Sequence, residues 1–235
     1  MRKIFLVILI LNLSVILLWA RENASAGEGE EVRSYSSRIS WFITGSVLFF
    51  PEDNGLDSDP MPVLPSPGAG VFFPITKIFG IELTLDAYMT HYGYNYVLDR
   101  AVPNAIENRT ARVIGFPFAI QAAWHIGLTP LLSLRAYGGP AADLRAVFVA
   151  AGLNKGLDDM EDIRRQTDSA RSYFWSSGRW FMPVMGTGLD FSLSPRIKLG
   201  VDLRVWIPMY RIWTKENLPP IEGWRFGPGI RFTFG

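Results

Sequence analysis

The stretch Trp224-Arg225-Phe226-Gly227-Pro228-Gly229-Ile230-Arg231-Phe232-Thr233-Phe234 alternates without a break. Trp224, Phe226, Pro228, Ile230, Phe232 and Phe234 fall on one side, and Arg225, Gly227, Gly229, Arg231 and Thr233 on the other. Successive side chains of a β-strand point to opposite faces, so a period of two predicts a strand with one aromatic, apolar face and one small or charged face. A strand of this kind suits a barrel wall in a membrane, with lipid on one side and a polar lumen on the other.

Seven other segments repeat the pattern. The first sets Ile39, Trp41, Ile43, Val47 and Phe49 against Ser40, Thr44 and Ser46; the second runs from Ser66 to Ile75. The third sets Ile81, Leu83, Leu85, Ala87 and Met89 against Glu82, Thr84, Asp86, Tyr88 and Thr90. In the fourth, Arg112 to Ile126, apolar Ile114, Phe116, Phe118, Ile120 and Trp124 oppose Gly115, Ala119, Gln121 and His125. The fifth covers Leu132 to Tyr137, the sixth Phe181 to Leu193, and the seventh Lys198 to Ile207. The expected fold is an all-β, eight-stranded antiparallel up-and-down transmembrane β-barrel. Ten residues at about 3.3 Å each, tilted by about 45°, climb roughly 23 Å, close to the ~25 Å apolar band of such barrels.

The connections alternate in length. Tight turns are expected at Thr76-Lys77, Gly127-Leu128 and Ser194-Pro195, and long loops over 51–65, 91–109, 139–177 and 211–222. Short turns on one side and long loops on the other, with an even number of strands, are the pattern of bacterial outer-membrane barrels, whose termini both lie in the periplasm. A soluble lipocalin-like barrel shares the period of two but gives no reason for the loop asymmetry. It would also carry Lys and Glu on its polar face, where this chain has Gly, Ser and Thr with single charges of both signs.

The N-terminus reads as an export signal. Arg2 and Lys3 precede an apolar run from Ile4 to Trp19, and Ala24-Ser25-Ala26 supplies small residues for cleavage, which predicts a signal peptide over 1–26 and a periplasmic tail over 27–37 before the barrel of 38–235. An uncleaved anchor is the alternative, the run falling just short of the ~20 residues that span a bilayer. The chain has no cysteine, which excludes disulfides, thiolate metal sites and an N-terminal lipoprotein. Apolar residues make up 49%, charged residues 19%, and the net charge is +1, so nothing points to nucleic acid.

On these features the chain resembles the small outer-membrane barrels of the OmpW and OmpA transmembrane type. The most specific element is Ile230-Arg231-Phe232-Thr233-Phe234, followed by Gly235, whose alternating aromatics look like the signal read by the barrel-assembly machinery. The resemblance implies outer-membrane lipid and that machinery as partners. It also implies a porin-like protein: a narrow channel for small, partly hydrophobic solutes or a membrane scaffold, with a surface adhesin contacting host components through its loops as the alternative.

Assigning polar faces inward gathers Glu82, Asp86, Arg135, Asp190, Lys198, Asp202, Arg204, Arg225 and Arg231 in the lumen. Ionisable groups at membrane depth face inward and find partners. They form either a salt-bridged core filling a barrel barely wide enough for side chains, or a passage whose charges tune ion preference. Inward Phe72 and Trp206 plug the barrel or line an apolar patch. Trp41, Trp124, Trp224 and Phe234 are expected at the membrane interfaces, with Ile230, Phe232 and Phe234 as the assembly signal.

No catalytic, metal or cofactor site is expected. His91 sits near the outer end of the third strand, where a lipid-modifying barrel enzyme would hold its base, but Gly93 occupies the place of the serine that a PagL-like deacylase carries two residues after its histidine. His125 lies near the opposite end, so the two histidines do not share a site. In loop 139–177 a helix is expected over Ala141 to Leu153, followed by an acidic-then-basic run from Asp158 to Arg165 that suits a helix dipole. The proline-rich stretch Pro51 to Pro67 is expected to be an extended loop.

Overall fold

A computed structural model describes residues 38–50, 63–95, 100–102, 111–149, 160–215 and 223–235. The signal segment, the tail and most of the long-loop tips lie outside the described residues. The strands are β1 (Ser40–Phe49), β2 (Val63–Pro74), β3 (Phe79–Asp86), β4 (Tyr88–Asn95), β5 (Arg100–Val102), β6 (Ala111–Gly127), β7 (Leu132–Gly139), β8 (Ala141–Val149), β9 (Val184–Ser194), β10 (Ile197–Trp206) and β11 (Arg225–Phe234). Two helices, α1 (Met160–Trp175) and α2 (Met209–Thr214), flank β9 and β10, and a 3-10 turn (Ser176–Gly178) follows α1.

Eight walls form a closed ring. β1 pairs with β2 and β11, β11 with β10, β10 with β9, β9 with β7, β7 with β6, β6 with β3, and β3 with β2, every pair antiparallel. β4 continues β3 past Ala87, and β8 continues β7 past Pro140, both along β6. Partners traced around the ring run from Phe118 through Leu85, Ala69, Ile43, Phe232, Leu199 and Phe191 to Leu132. Continuing the register of Ser133 opposite Gly127, that path re-enters β6 at Leu128, ten residues beyond Phe118. Such a stagger tilts the strands, and closure leaves no edge for the chain to pair through.

The short turns are capped by hydroxyls. Thr76 Oγ1 accepts from the N–H groups of Ile78 and Phe79, Thr129 Oγ1 from those of Leu131 and Leu132, and Ser194 Oγ from that of Arg196. Each satisfies backbone donors that a two- to four-residue reversal strands, the mechanism by which Ser and Thr favour turns.

Three local readings need correction. The segment expected to be helical from Ala141 is strand β8, because its alternation of Ala141, Asp143, Arg145 and Val147 with Ala142, Leu144, Ala146 and Phe148 continues the parity of β7 through Pro140. The helix of this loop lies later, at Met160–Trp175. Strand β2 begins at Val63, inside the expected proline-rich loop. Its Leu64 and Ser66 are buried inward, and it pairs with β1 throughout but with β3 only from Gly68. Pro65 and Pro67 thus occupy an edge-like stretch, where a missing N–H is tolerated.

The interior is filled by fitting bulky side chains of one wall over glycines of the next. A Cβ on Gly186 would lie 2.5 Å from the Tyr137 ring, and one on Gly227 would lie 2.6 Å from the Trp206 ring. Gly70 and Phe42, Gly80 and Phe72, and Gly115 and Tyr88 are matched in the same way. These five inward glycines are therefore sockets for aromatic rings, as a core packed to ordinary density requires.

Candidate functional site: the barrel lumen and its mouth

The polarity of the barrel is inverted relative to a soluble protein. Along β1 the burial alternates strictly, with Trp41, Ile43, Val47 and Phe49 exposed on the outside and Thr44 and Ser46 buried inside. Arg135, Arg225 and Arg231 are among the largest fully buried side chains, while Leu193, Ile230, Trp41 and Phe148 are more than half exposed. Charges lie inside and apolar side chains outside around the whole ring, an arrangement that water would penalise and hydrocarbon favours. The molecule has the fold of a transmembrane β-barrel. Among the described residues no helix is long and apolar enough to cross a membrane.

No protein-family model matches the sequence, and a search of curated proteins finds no match. Among solved structures the chain is similar to the outer membrane protein OprG from Pseudomonas aeruginosa, at 9% identity over 87% of this chain and 99% of that one, with a TM-score of 0.49. It is similar to Neisserial surface protein A at 10% identity over 83% of this chain and 94% of that one, with a TM-score of 0.42. The attachment invasion locus protein Ail of Yersinia pestis is a third, at 8% identity over 83% and 94% of the two chains, with a TM-score of 0.39.

The half of this barrel nearer the short turns is ionic. Arg135 on β7 binds Asp190 on β9 at 3.2 Å and also Asp202 on β10. Arg204, on β10, reaches across the lumen to Asp86 on β3 at 2.8 Å, with Asp202 4.0 Å from its other arm. Arg231 on β11 crosses to Glu82 on β3 at 2.8 Å, and its guanidinium stacks 3.4 Å from the Phe42 ring centroid. Thr44 donates to Asp86 at 3.2 Å, and Arg231 Nε donates to the Thr233 hydroxyl at 3.1 Å. Glu82, Asp86, Asp190 and Asp202 thus meet Arg135, Arg204 and Arg231, with half-buried Lys198 toward the short-turn end. Four carboxylates and four cations balance, and bridges between non-adjacent walls tie the barrel across its bore. Buried charges survive only when paired in this manner.

Toward the long loops the filling changes. Asp143 on β8 binds Arg225 on β11 at 2.7 Å and Arg145 at 2.9 Å, and accepts from Tyr88 Oη at 2.8 Å. Around it lies an apolar cluster that includes Leu48, Leu64, Val113, Val147 and Trp206, into which the last turn of α1 inserts Tyr173 and Phe174. Phe174 is 1% exposed, with the Arg145 guanidinium 5.0 Å from its ring centroid.

All nine lumen charges expected from the sequence point inward, and all but Lys198 are buried. Phe72 and Trp206 are inward and buried as well. The structure adds Asp143 and Arg145, which the helical reading of 141–153 hid, and Phe174 and Arg179 beyond that segment; Tyr88, on the polar face of the third segment, is buried inward too. Of the interfacial aromatics, Trp41 faces Phe234 across the β1–β11 seam, and Trp124 lies 5.3 Å from Phe79; all three named positions are near the short turns. Trp224 is at the other end of β11. Ile230, Phe232 and Phe234 are exposed on the outer face of β11. His125 is buried inward with its ring 4.5 Å from that of Phe72; the His91 side chain lies outside the described residues. Among the described residues, no group of three or more His, Asp or Glu side chains is placed to hold a metal ion.

Proposed function

We propose that the protein is a closed outer-membrane scaffold. Its barrel anchors the chain in the outer membrane of a diderm bacterium, and its long-loop end carries a platform outside the cell. The export signal read in residues 1–26 and the alternating C-terminal strand that would engage the barrel-assembly machinery support this location.

One observation carries the reading. Arg135, Arg204 and Arg231 are almost wholly buried; Arg204 and Arg231 bridge the bore to β3, Arg135 ties β7 to β9 and β10, and Phe174 fills the bore above them. A solute crossing the lumen would have to separate those pairs, and breaking one partner from a buried pair costs about 3–5 kcal/mol. Around eight strands leave an interior that side chains can fill. What the barrel holds outward is then its working part: strands β4, β6 and β8 and helix α1, available to lipid head groups or to host components at the cell surface.

Planar-bilayer recordings of the refolded protein test this. A silent bilayer is expected. Stable conductance steps that change on Asp202→Asn or Arg204→Ala would contradict the scaffold reading and favour a narrow channel for small, partly hydrophobic solutes.

A further inference from the structure

The geometry points to a hinged stopper at the mouth: α1 swings about Ser177–Gly178, and Arg179 latches it shut. The inference concerns the chamber above the ionic network and goes beyond the scaffold reading, since the network beneath stays closed whether or not the mouth opens.

Three observations converge on it. First, the chamber does not depend on the helix for its walls. Leu48, Leu64, Tyr88, Val113, Val147 and Trp206 all sit on strands that pair with one another, and α1 adds no strand to the ring. The final turn of the helix places Tyr173 and Phe174 in the chamber, while Arg164, Asp168, Arg171 and Ser172 are exposed. Withdrawing Tyr173 and Phe174 would empty the chamber without unpairing the barrel.

Second, the backbone changes hand between helix and wall. Ser177 has φ 55° inside the 3-10 turn, and Gly178 has φ 74°. Two successive left-handed residues form a sharp joint, and the first of them is a serine held where side chains are disfavoured. Beyond the joint the chain is fixed to β8: Asp143 N–H donates to the Trp180 carbonyl at 2.7 Å, and Met182 N–H donates to the Ala141 carbonyl at 3.0 Å. One side of the joint is anchored and the other carries the plug.

Third, Arg179 stands on the anchored side and grips the moving one. Its Nη1 donates to the Tyr173 carbonyl at 3.2 Å and to the Ser176 hydroxyl. Its guanidinium lies near two rings, 4.3 Å from the Tyr173 centroid and 5.1 Å from that of Tyr210 on α2. A planar cation held against two rings while it donates hydrogen bonds is a fastening that Arg makes and Lys does not. Trp175 Nε1, donating to the Arg145 carbonyl at 3.3 Å, is a second, weaker tie.

The absence of native cysteine makes the test direct. Val147→Cys places a thiol in the chamber and Ser133→Cys places one in the ionic half. Each is refolded into detergent micelles with Arg179 intact or as Arg179→Ala, then exposed to a bulky, charged maleimide. The stopper predicts at least ten-fold faster labelling of Cys at 147 in Arg179→Ala than in the parent. Labelling at 133 stays slow in both, and the heat-dependent gel shift is unchanged. Arg179→Lys is expected in between. Equal rates at 147 in both backgrounds would overturn the inference, as would acceleration at 147 and 133 together, which signals a loosened barrel. Should Arg179→Ala not refold, Tyr210→Ala removes one of the two rings and must accelerate labelling at 147 alone.

Discussion

The two halves of the lumen are filled by opposite chemistry. Near the short turns Arg135, Arg204 and Arg231 meet carboxylates donated by other walls. At the long-loop end aromatic and aliphatic side chains close over one carboxylate, Asp143, and part of the filling arrives on a helix rather than on the strands. The ionic half belongs to the barrel's own construction, because its bonds join wall to wall. The apolar half is closed by a segment that rests on walls already complete. The ionic half should therefore govern unfolding of the barrel, and the mouth should govern access to it.

Arg135→Ala tests the strong side of this contrast. It takes the guanidinium from Asp190 and leaves Asp202 facing Arg204 at 4.0 Å, and a loss of about 3–5 kcal/mol is expected in the urea unfolding of the refolded protein, followed by the heat-dependent gel shift. Phe174→Ala removes the plug ring; about 3 kcal/mol is the usual order for a buried phenyl group, and the barrel should still refold because no wall pairing is lost. If Phe174→Ala abolished refolding while Arg135→Ala did not, the division between the halves would be wrong.

A finer test is Gly186→Ala. The added methyl meets the Tyr137 ring at the junction with β7, and overpacking of this kind costs roughly 1–3 kcal/mol. Pairing it with Tyr137→Phe leaves the clash in place, whereas pairing it with Tyr137→Leu should recover part of the loss; no recovery would mean that the socket is not what the glycine provides. The smallest effect is expected at Arg171→Ala. Its pair with Asp168 is 3.5 Å long with both side chains more than half exposed, so unfolding should move by less than about 0.5 kcal/mol.

Much of this was legible in the sequence because a strand with lipid on one side and a lumen on the other writes its faces in alternate residues. Asp202 and Arg204, two apart in an alternating run, share a face on a strand and not on a helix, and Glu82, Thr84 and Asp86 do the same as a set. The mouth was not legible for two physical reasons. Ala141 to Val149 carries alanines and leucine at spacings that also suit a helix, so period two and period 3.6 compete, and only the shared parity with Arg135 and Tyr137 decides in favour of a strand. The seating of Tyr173 and Phe174 depends on a tertiary contact between segments separated by more than a hundred residues from Leu48 and Leu64, which no local pattern encodes. Asp143 went unnoticed with it, although its spacing from Arg145 was the available signal.

The apolar face looks outward into lipid and the polar face inward, and the cysteine-free chain allows this to be measured. Spin labels on single cysteines at Val201, Leu203 and Ile230, which face outward, and at Ser46, Ser66 and Ser133, which face inward, are compared in lipid vesicles by collision with oxygen and with a water-soluble nickel chelate. The account predicts that the first three collide with oxygen in the hydrocarbon and not with nickel, while the second three are shielded from the hydrocarbon. Nickel access at Val201, Leu203 and Ile230, or hydrocarbon exposure at the serine positions, would contradict it.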